Sequence, residues 1–139
     1  VSATRVDEVL VSHTLIHDPE NPKKLPEDGY GEVTFDHVSF RYPGAEEDVL
    51  HDISFTAKPG QTTAFIGSTG SGKSTLVNLI PRFYDVTEGK ITLDGEDIRN
   101  ITQHELRDKL GYVPQKGILF SGDIASNILY GNPTEARRI

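Results

Sequence analysis

Apolar and polar residues begin to alternate at Glu32. Val33 and Phe35, with His37 in phase behind them, alternate with Thr34 and Asp36, and Val38, Phe40 and Tyr42 then start a second alternation. A period of two is the mark of a half-buried strand. The adjacent polar pair Asp36-His37, where the phase changes, is where a bulge or bend would shift the register. Pro43-Gly44 predicts a turn, and Glu46-Glu47-Asp48 a solvated loop. Ile53, Phe55 and Ala57 alternate with Ser54, Thr56 and Lys58 in a second strand, closed by Pro59-Gly60. Thr62-Thr63-Ala64-Phe65-Ile66 has no alternation and is β-rich, which predicts a fully buried strand. Two half-exposed strands ahead of a buried one predict an antiparallel sheet laid beside a parallel core.

Leu76, Leu79 and Ile80 then recur at helical spacing, so a helix opens near Lys73. Lys90 to Leu93 reads as a short strand ending at Asp94-Gly95. Thr102 predicts the cap of a helix running through Leu110, with Glu105 at the capping-box position. Gly111-Tyr112-Val113-Pro114 predicts another strand. Ser121 to Leu129 predicts a second short helix with Ile124 and Ile128 on its inner face, broken by Gly131-Asn132-Pro133. At the front, Ser2 caps an expected helix over 2–11, with Val6, Val9 and Leu10 on one face. The three prolines and many charges between Asp18 and Gly29 predict a linker, with a domain boundary near Gly31.

Composition narrows the options. A chain of 139 residues holds one domain with a real core. The formal charge of −7 argues against a nucleic-acid partner or an anionic-membrane surface, since both favour a basic excess. There is no cysteine, so neither a disulfide nor a thiolate metal site. No apolar run has the length of a membrane span. The first twenty residues carry too many charges for a signal peptide.

The strongest chemical signal is Gly67-Ser68-Thr69-Gly70-Ser71-Gly72-Lys73-Ser74, which fits the phosphate-binding P-loop pattern G-x-x-x-x-G-K-[ST]. Glycines let the backbone turn sharply and aim several N–H groups at one phosphate cluster. Lys73 adds a point charge near the β- and γ-phosphates, and Ser74 a hydroxyl for Mg²⁺. A flexible Gly/Ser linker is the bland reading. Linkers are not bracketed by an apolar strand and an apolar helix, as this segment is.

A P-loop does not name a reaction. Asp108-Lys109-Leu110-Gly111 matches the GTPase D-x-x-G by letters but falls in a helical stretch, and N-K-x-D is absent. A small-molecule kinase stays open as an alternative, as does a non-catalytic interaction module. The ordered series around the loop says more. It runs Val38-Ser39-Phe40-Arg41-Tyr42-Pro43, Leu50-His51-Asp52-Ile53-Ser54-Phe55, Gly67 to Thr75, Gly89-Lys90-Ile91-Thr92-Leu93-Asp94-Gly95, and Gly111-Tyr112-Val113-Pro114-Gln115. This series resembles the nucleotide-binding domain of ATP-binding cassette (ABC) proteins. Leu119-Phe120-Ser121-Gly122, Ile124 to Ile128 and the opening Ser2 to Leu10 resemble the exporter branch.

The resemblance implies a partial α/β P-loop NTPase core with an antiparallel subdomain ahead of the loop. Residues 1–30 would join a membrane domain to the nucleotide-binding part, 31–139. It implies ATP and Mg²⁺ as ligands. Gly67, Ser68, Thr69, Gly70, Ser71, Gly72, Lys73, Ser74 and Thr75 would hold the phosphates, Tyr42 would stack on adenine, and Ser74 and Gln115 would face the metal. Lys73 and Gln115 would be the catalytic contributors on this side of the site. Residues 116–128 would receive the membrane domain through Ile118, Leu119 and Phe120, unless these belong to the local core. Lys116-Gly117 departs from the residues commoner there. A second nucleotide-binding domain, identical or not, would complete the site at the cytoplasmic face of a membrane, expected to be the plasma membrane. ATP binding and hydrolysis would there power solute export.

Other parts of such machinery have no match in the chain. The metal carboxylate at the end of an apolar strand, the glutamate after it, the L-S-G-G-Q signature and the downstream histidine are not found. Asp94 is the nearest imitation and reads as a turn residue. Glu46, Glu47 and Asp48 read as a solvated run. His13 and His17, four apart, lack a third metal ligand, and His37, His51 and His104 read as isolated. The expectation is the front part of a nucleotide-binding domain, cut after the Gln115 region, with an exposed edge and marginal stability. Alone it would bind ATP without hydrolysing it.

Overall fold

The computed structural model describes residues 16–130. The expected helix over 2–11, His13 and the Gly131-Asn132-Pro133 break lie outside them. Strands β1 (Val33–Phe40), β2 (Leu50–Ala57), β3 (Glu88–Leu93) and β4 (Glu96–Asp97) form one sheet in the order β2-β1-β3-β4. Every pairing in it is antiparallel. Helix α1 (Lys73–Leu79) follows the glycine-rich loop. A 3₁₀ turn (Ile98–Asn100), α2 (Gln103–Asp108) and α3 (Ile124–Ile128) complete the described elements.

Of the bulge or bend expected at Asp36-His37, the structure forms a bulge, and it explains the core. The pairing of β1 shifts between Phe35 and Val38 against β2, and between Asp36 and Ser39 against β3. The extra residue lets Phe35 and Val38, three apart, share the buried face with Phe40. His37 takes the extra position at φ 51°, and a compensating irregularity in β2 leaves Asp52 at φ 48°. The amides freed at the two bulges are satisfied across the strands. His37 N donates to Ser54 Oγ at 3.0 Å, and Asp52 N donates to Ser39 Oγ at 3.1 Å. Gly89 on β3 faces the same spot, and a Cβ there would collide with the His37 carbonyl oxygen.

Phe35, Val38, Phe40, Ile91 and Leu93 of the sheet pack with Leu76 and Leu79 of α1 and with Ile98, Ile101 and Leu106. Asp94 is a turn residue, as read. Asp94 (φ 50°) and Gly95 (φ 84°) form the two-residue link between β3 and β4, and Asp94 Oδ1 accepts from Gly31 N and Glu32 N, each at 2.9 Å. Thr102 caps α2, its Oγ1 accepting from Glu105 N at 3.2 Å.

The Glu105 carboxylate turns elsewhere. It accepts from Leu25 N at 3.0 Å, from within the proline-rich segment. That segment also pairs by backbone, Lys23 N donating to Asn100 O at 2.8 Å, and Leu25 is only 8% exposed. One apolar side chain among charges and prolines gives no periodic signal, so its core position was not legible.

Two predicted strands are not formed. No ladder includes Thr62–Ile66 or Gly111–Pro114, and every strand pair among the described residues is antiparallel. Ile66 is 98% exposed and Val113 92%. A strand exists by pairing, and β propensity without a neighbouring strand leaves an extended chain. The inner face predicted for the second short helix is also corrected. Asp123 caps α3 through Ser126 N at 2.7 Å, but Ile124 and Ile128 are exposed, with no element among the described residues covering them.

Candidate functional site

The loop at 67–74 curls around its own lysine. Lys73 Nζ donates to Gly67 O at 2.8 Å, to Ser68 O at 2.6 Å and to Ser71 Oγ at 3.2 Å, which uses all three of its hydrogens. The curl needs Gly70 and Gly72, both at φ 84°. Gly72 has a second reason to lack a side chain. A Cβ there would lie 2.8 Å from Leu50 Cδ2 and 3.2 Å from Val49 O, so the loop is pressed against the start of β2.

Gly72 is also the N-cap of α1, which has no side-chain cap and no acidic residue in its first turn. The first helical bond runs from Leu76 N to Gly72 O at 2.8 Å, leaving the amides of Lys73, Ser74 and Thr75 without a carbonyl inside the helix. A cleft of about 190 Å³ lies over this turn, lined by Val49 and by Gly70 to Thr75. Its charged lining is one ammonium and its polar lining mostly N–H and O–H donors, a set that suits a polyphosphate. Mg²⁺ also fits, because that ion commonly takes few protein ligands and fills its shell with phosphate oxygens and water. Ser74 supplies a hydroxyl, and no group of three His, Cys, Asp or Glu residues able to hold a metal occurs among the described residues.

The remaining candidates are placed unevenly. The Tyr42 hydroxyl lies 2.9 Å from Thr75 Oγ1, so this half-buried ring is tied to the first turn of α1. Phe40 and Tyr84 fix it edge-to-face, at centroid distances of 4.9 and 5.2 Å. Thr75 is buried, and its hydroxyl serves Tyr42. Gln115 is exposed and lies outside the lining of the cleft. Three residues before it, Tyr112 Oη donates to Asn78 Oδ1 of α1 at 2.7 Å and so anchors the segment.

Ile118 (81% exposed) and Leu119 (86%) face solvent, which removes the local-core alternative for them. Leu119, Phe120, Ile124 and Ile128 line an apolar groove of about 370 Å³, braced by Asn127 bonding both the amide and the carbonyl of Phe120. The histidines are less isolated than their spacing suggested. His37 Nδ1 lies 2.6 Å from Asp52 Oδ1, which raises the His37 pKa, His104 lies 3.5 Å from Asp108, and His51 lies 4.0 Å from Asp48.

Sequence reasoning missed the polar cluster beneath α1. Arg82 is buried at 4% exposure and φ 54°, and grips Asp85 through two bonds of 2.6 and 3.1 Å. The opposite charges three residues apart were the available signal.

The family model described as ABC transporter matches residues 50–138. An uncharacterized ABC transporter ATP-binding protein of Mycobacterium tuberculosis is 52% identical over 132 residues, covering 94% of this chain and 22% of the relative. A Staphylococcus aureus protein whose printed name is "Putative multidrug export ATP-binding/permease protein" is 50% identical over 104 residues, covering 75% of this chain and 18% of the relative. The chain therefore spans about a fifth of the length of these curated relatives. The solved structure of a bacterial Atm1-family ABC exporter with ATP bound superposes with a TM-score of 0.84 at 40% identity, over 93% of this chain and 22% of that one.

Proposed function

Because the chain belongs to the ABC transporter family, we propose that it supplies the adenine, phosphate and magnesium side of one ATP site in an exporter. The observation that carries this reading is the Lys73 ammonium caged by its loop at the head of an uncapped helix. The amides of Gly70 to Thr75 and the Lys73 ammonium bind the phosphates. The Ser74 hydroxyl ligates Mg²⁺, whose chemistry when bound is to neutralise the phosphate oxygens. Tyr42 offers a ring face to adenine, held in orientation by Thr75, Phe40 and Tyr84. Gln115, outside the cleft lining, would reach the metal and γ-phosphate only by a movement of its segment, which Tyr112 anchors to α1.

On the same reading, this chain alone binds ATP without turning it over. In the whole protein, residues 1–30 lead from a membrane domain to the nucleotide-binding part beginning near Gly31. The exposed surface over 116–128 receives that membrane domain, and a second nucleotide-binding domain completes the site. Hydrolysis there powers solute export from the cytoplasmic side of the plasma membrane. No helix among the described residues is long and apolar enough to cross a membrane.

Parallel titrations with Mg-ATP and with magnesium tripolyphosphate test the site. Tyr42→Ala is expected to weaken ATP about tenfold and leave tripolyphosphate unchanged, the size of one base–aromatic stack. Lys73→Ala is expected to weaken both. Equal affinities in wild type and Lys73→Ala would refute the assignment, and phosphoryl transfer by the pure chain would favour a kinase.

A further inference from the structure

We propose that His17 and Asp18 are positioning residues for nucleotide binding, because they close a ring of hydrogen bonds that holds the far end of the P-loop helix. The inference rests on the reading of 67–74 as the ATP site and adds to it a second point of control.

The ring joins three segments distant in sequence. The His17 carbonyl accepts from Arg82 Nη2 at 3.2 Å. Arg82 lies three residues beyond Leu79, the last residue of α1. Arg107 of α2 binds the same turn, Nε donating to Pro81 O at 3.1 Å and Nη2 to Arg82 O at 3.3 Å. Arg107 Nη2 also donates to Gln103 Oε1 at 3.1 Å. Gln103 then returns to the proline-rich strap, residues 17–25, its backbone N at 2.9 Å and its Nε2 at 3.2 Å from Asp18 Oδ1. His17 and Asp18 are covalent neighbours, so the circuit is closed.

Three features make this ring a positioning device rather than loose surface polarity. Arg82 is buried, held in the left-handed region, and its Nη1 has no hydrogen-bond partner, so the turn after α1 is held in a costly conformation by what surrounds it. Helix α1 has seven residues, starts at Lys73 and is packed through Leu76 and Leu79, so a shift at its end is transmitted to its start. The ring also grips the chain close behind residues 1–15, which the proposed function places on the membrane-domain side. A pull on that segment reaches the loop through Arg82. By reciprocity, nucleotide bound at the loop tightens the strap.

Asp18 is exposed, so its substitution spares the core. The experiment measures Mg-ATP affinity for the 139-residue chain and for Asp18→Ala, Asp18→Asn and Lys73→Ala, with Glu20→Ala as a control on the same strap. Amide hydrogen exchange at 17–25 is followed with and without Mg-ATP. Asp18→Ala is expected to weaken Mg-ATP about three- to tenfold, at the low end of typical coupling between sites. Asp18→Asn keeps an oxygen for the Gln103 amides and stays within about twofold of wild type. Mg-ATP slows strap exchange in wild type but not in Asp18→Ala. An unchanged affinity in Asp18→Ala, an equal loss in Asp18→Asn or Glu20→Ala, or strap exchange indifferent to Mg-ATP would each overturn the proposal while leaving the site intact. A wild-type chain that binds no Mg-ATP, or binds it no better than Lys73→Ala, overturns the ATP reading and this one with it.

Discussion

The sheet and the flanks of the phosphate loop are both rich in β-forming apolar residues, and they end in opposite states. In β1, β2 and β3 each apolar position finds a neighbour, and even the two bulges have their freed amides taken by Ser54 and Ser39. Along 62–66 and 111–114 the same residue types stand extended, with Ile66 and Val113 facing solvent. The difference lies not in propensity but in whether the described residues include a strand to pair with. The loop at 67–74 lies between these regimes. It leans on Leu50 and Val49 of the completed side through Gly72, and Gln115, proposed as a contributor to the site, belongs to the uncovered side.

The largest effects should come from attacking the completed side. Phe35→Ala removes a ring stacked on Phe55 at 4.6 Å and is expected to cost about 3–5 kcal/mol, enough to unfold a marginal domain. Ile66→Ser, on the uncovered side, should cost no more than about 0.5 kcal/mol, with both variants read by denaturant unfolding. Equal losses would mean that the two regions are not as different as described. Gly89→Ala follows in size. Its methyl would collide with the backbone at His37 in a left-handed position, and a loss of about 2 kcal/mol or more is expected from thermal melts.

The smallest effect concerns the two bulges. Asp52 raises the His37 pKa chiefly through their hydrogen bond. The pair's contribution is therefore full below the ordinary histidine value and lost as pH rises through the raised one. Stability should decline slightly over that window in wild type and lose the dependence in Asp52→Asn, as read by melts from acid to neutral pH. A slope that persists in Asp52→Asn would assign it to another group.

What the sequence made legible was local. The doubled polar pair at Asp36-His37 marked a bulge or bend, Asp94-Gly95 the turn, Thr102 a cap and the glycines of 67–72 a sharp curl ahead of α1, because each is a contact within a few residues. What it hid was set by distance. Glu105 satisfied the capping pattern by letter but spends its carboxylate on Leu25, eighty residues away. Tyr42 was found through its neighbours in sequence, yet its hold on Thr75, and the ring through Arg82, Arg107 and Asp18, exist only after folding. The unformed strands failed for the same reason, since a pattern can state a preference for pairing and cannot supply the partner.

Hydrogen exchange across the whole chain, with and without Mg-ATP, tests the central claim most directly. Slowed exchange should appear at 67–76 on adding nucleotide, vanish in Lys73→Ala, and leave the protection of β1 to β3 unchanged in both. Slowing that survives in Lys73→Ala, or no slowing at 67–76 in the wild type, would contradict the assignment of this loop as the site that holds ATP.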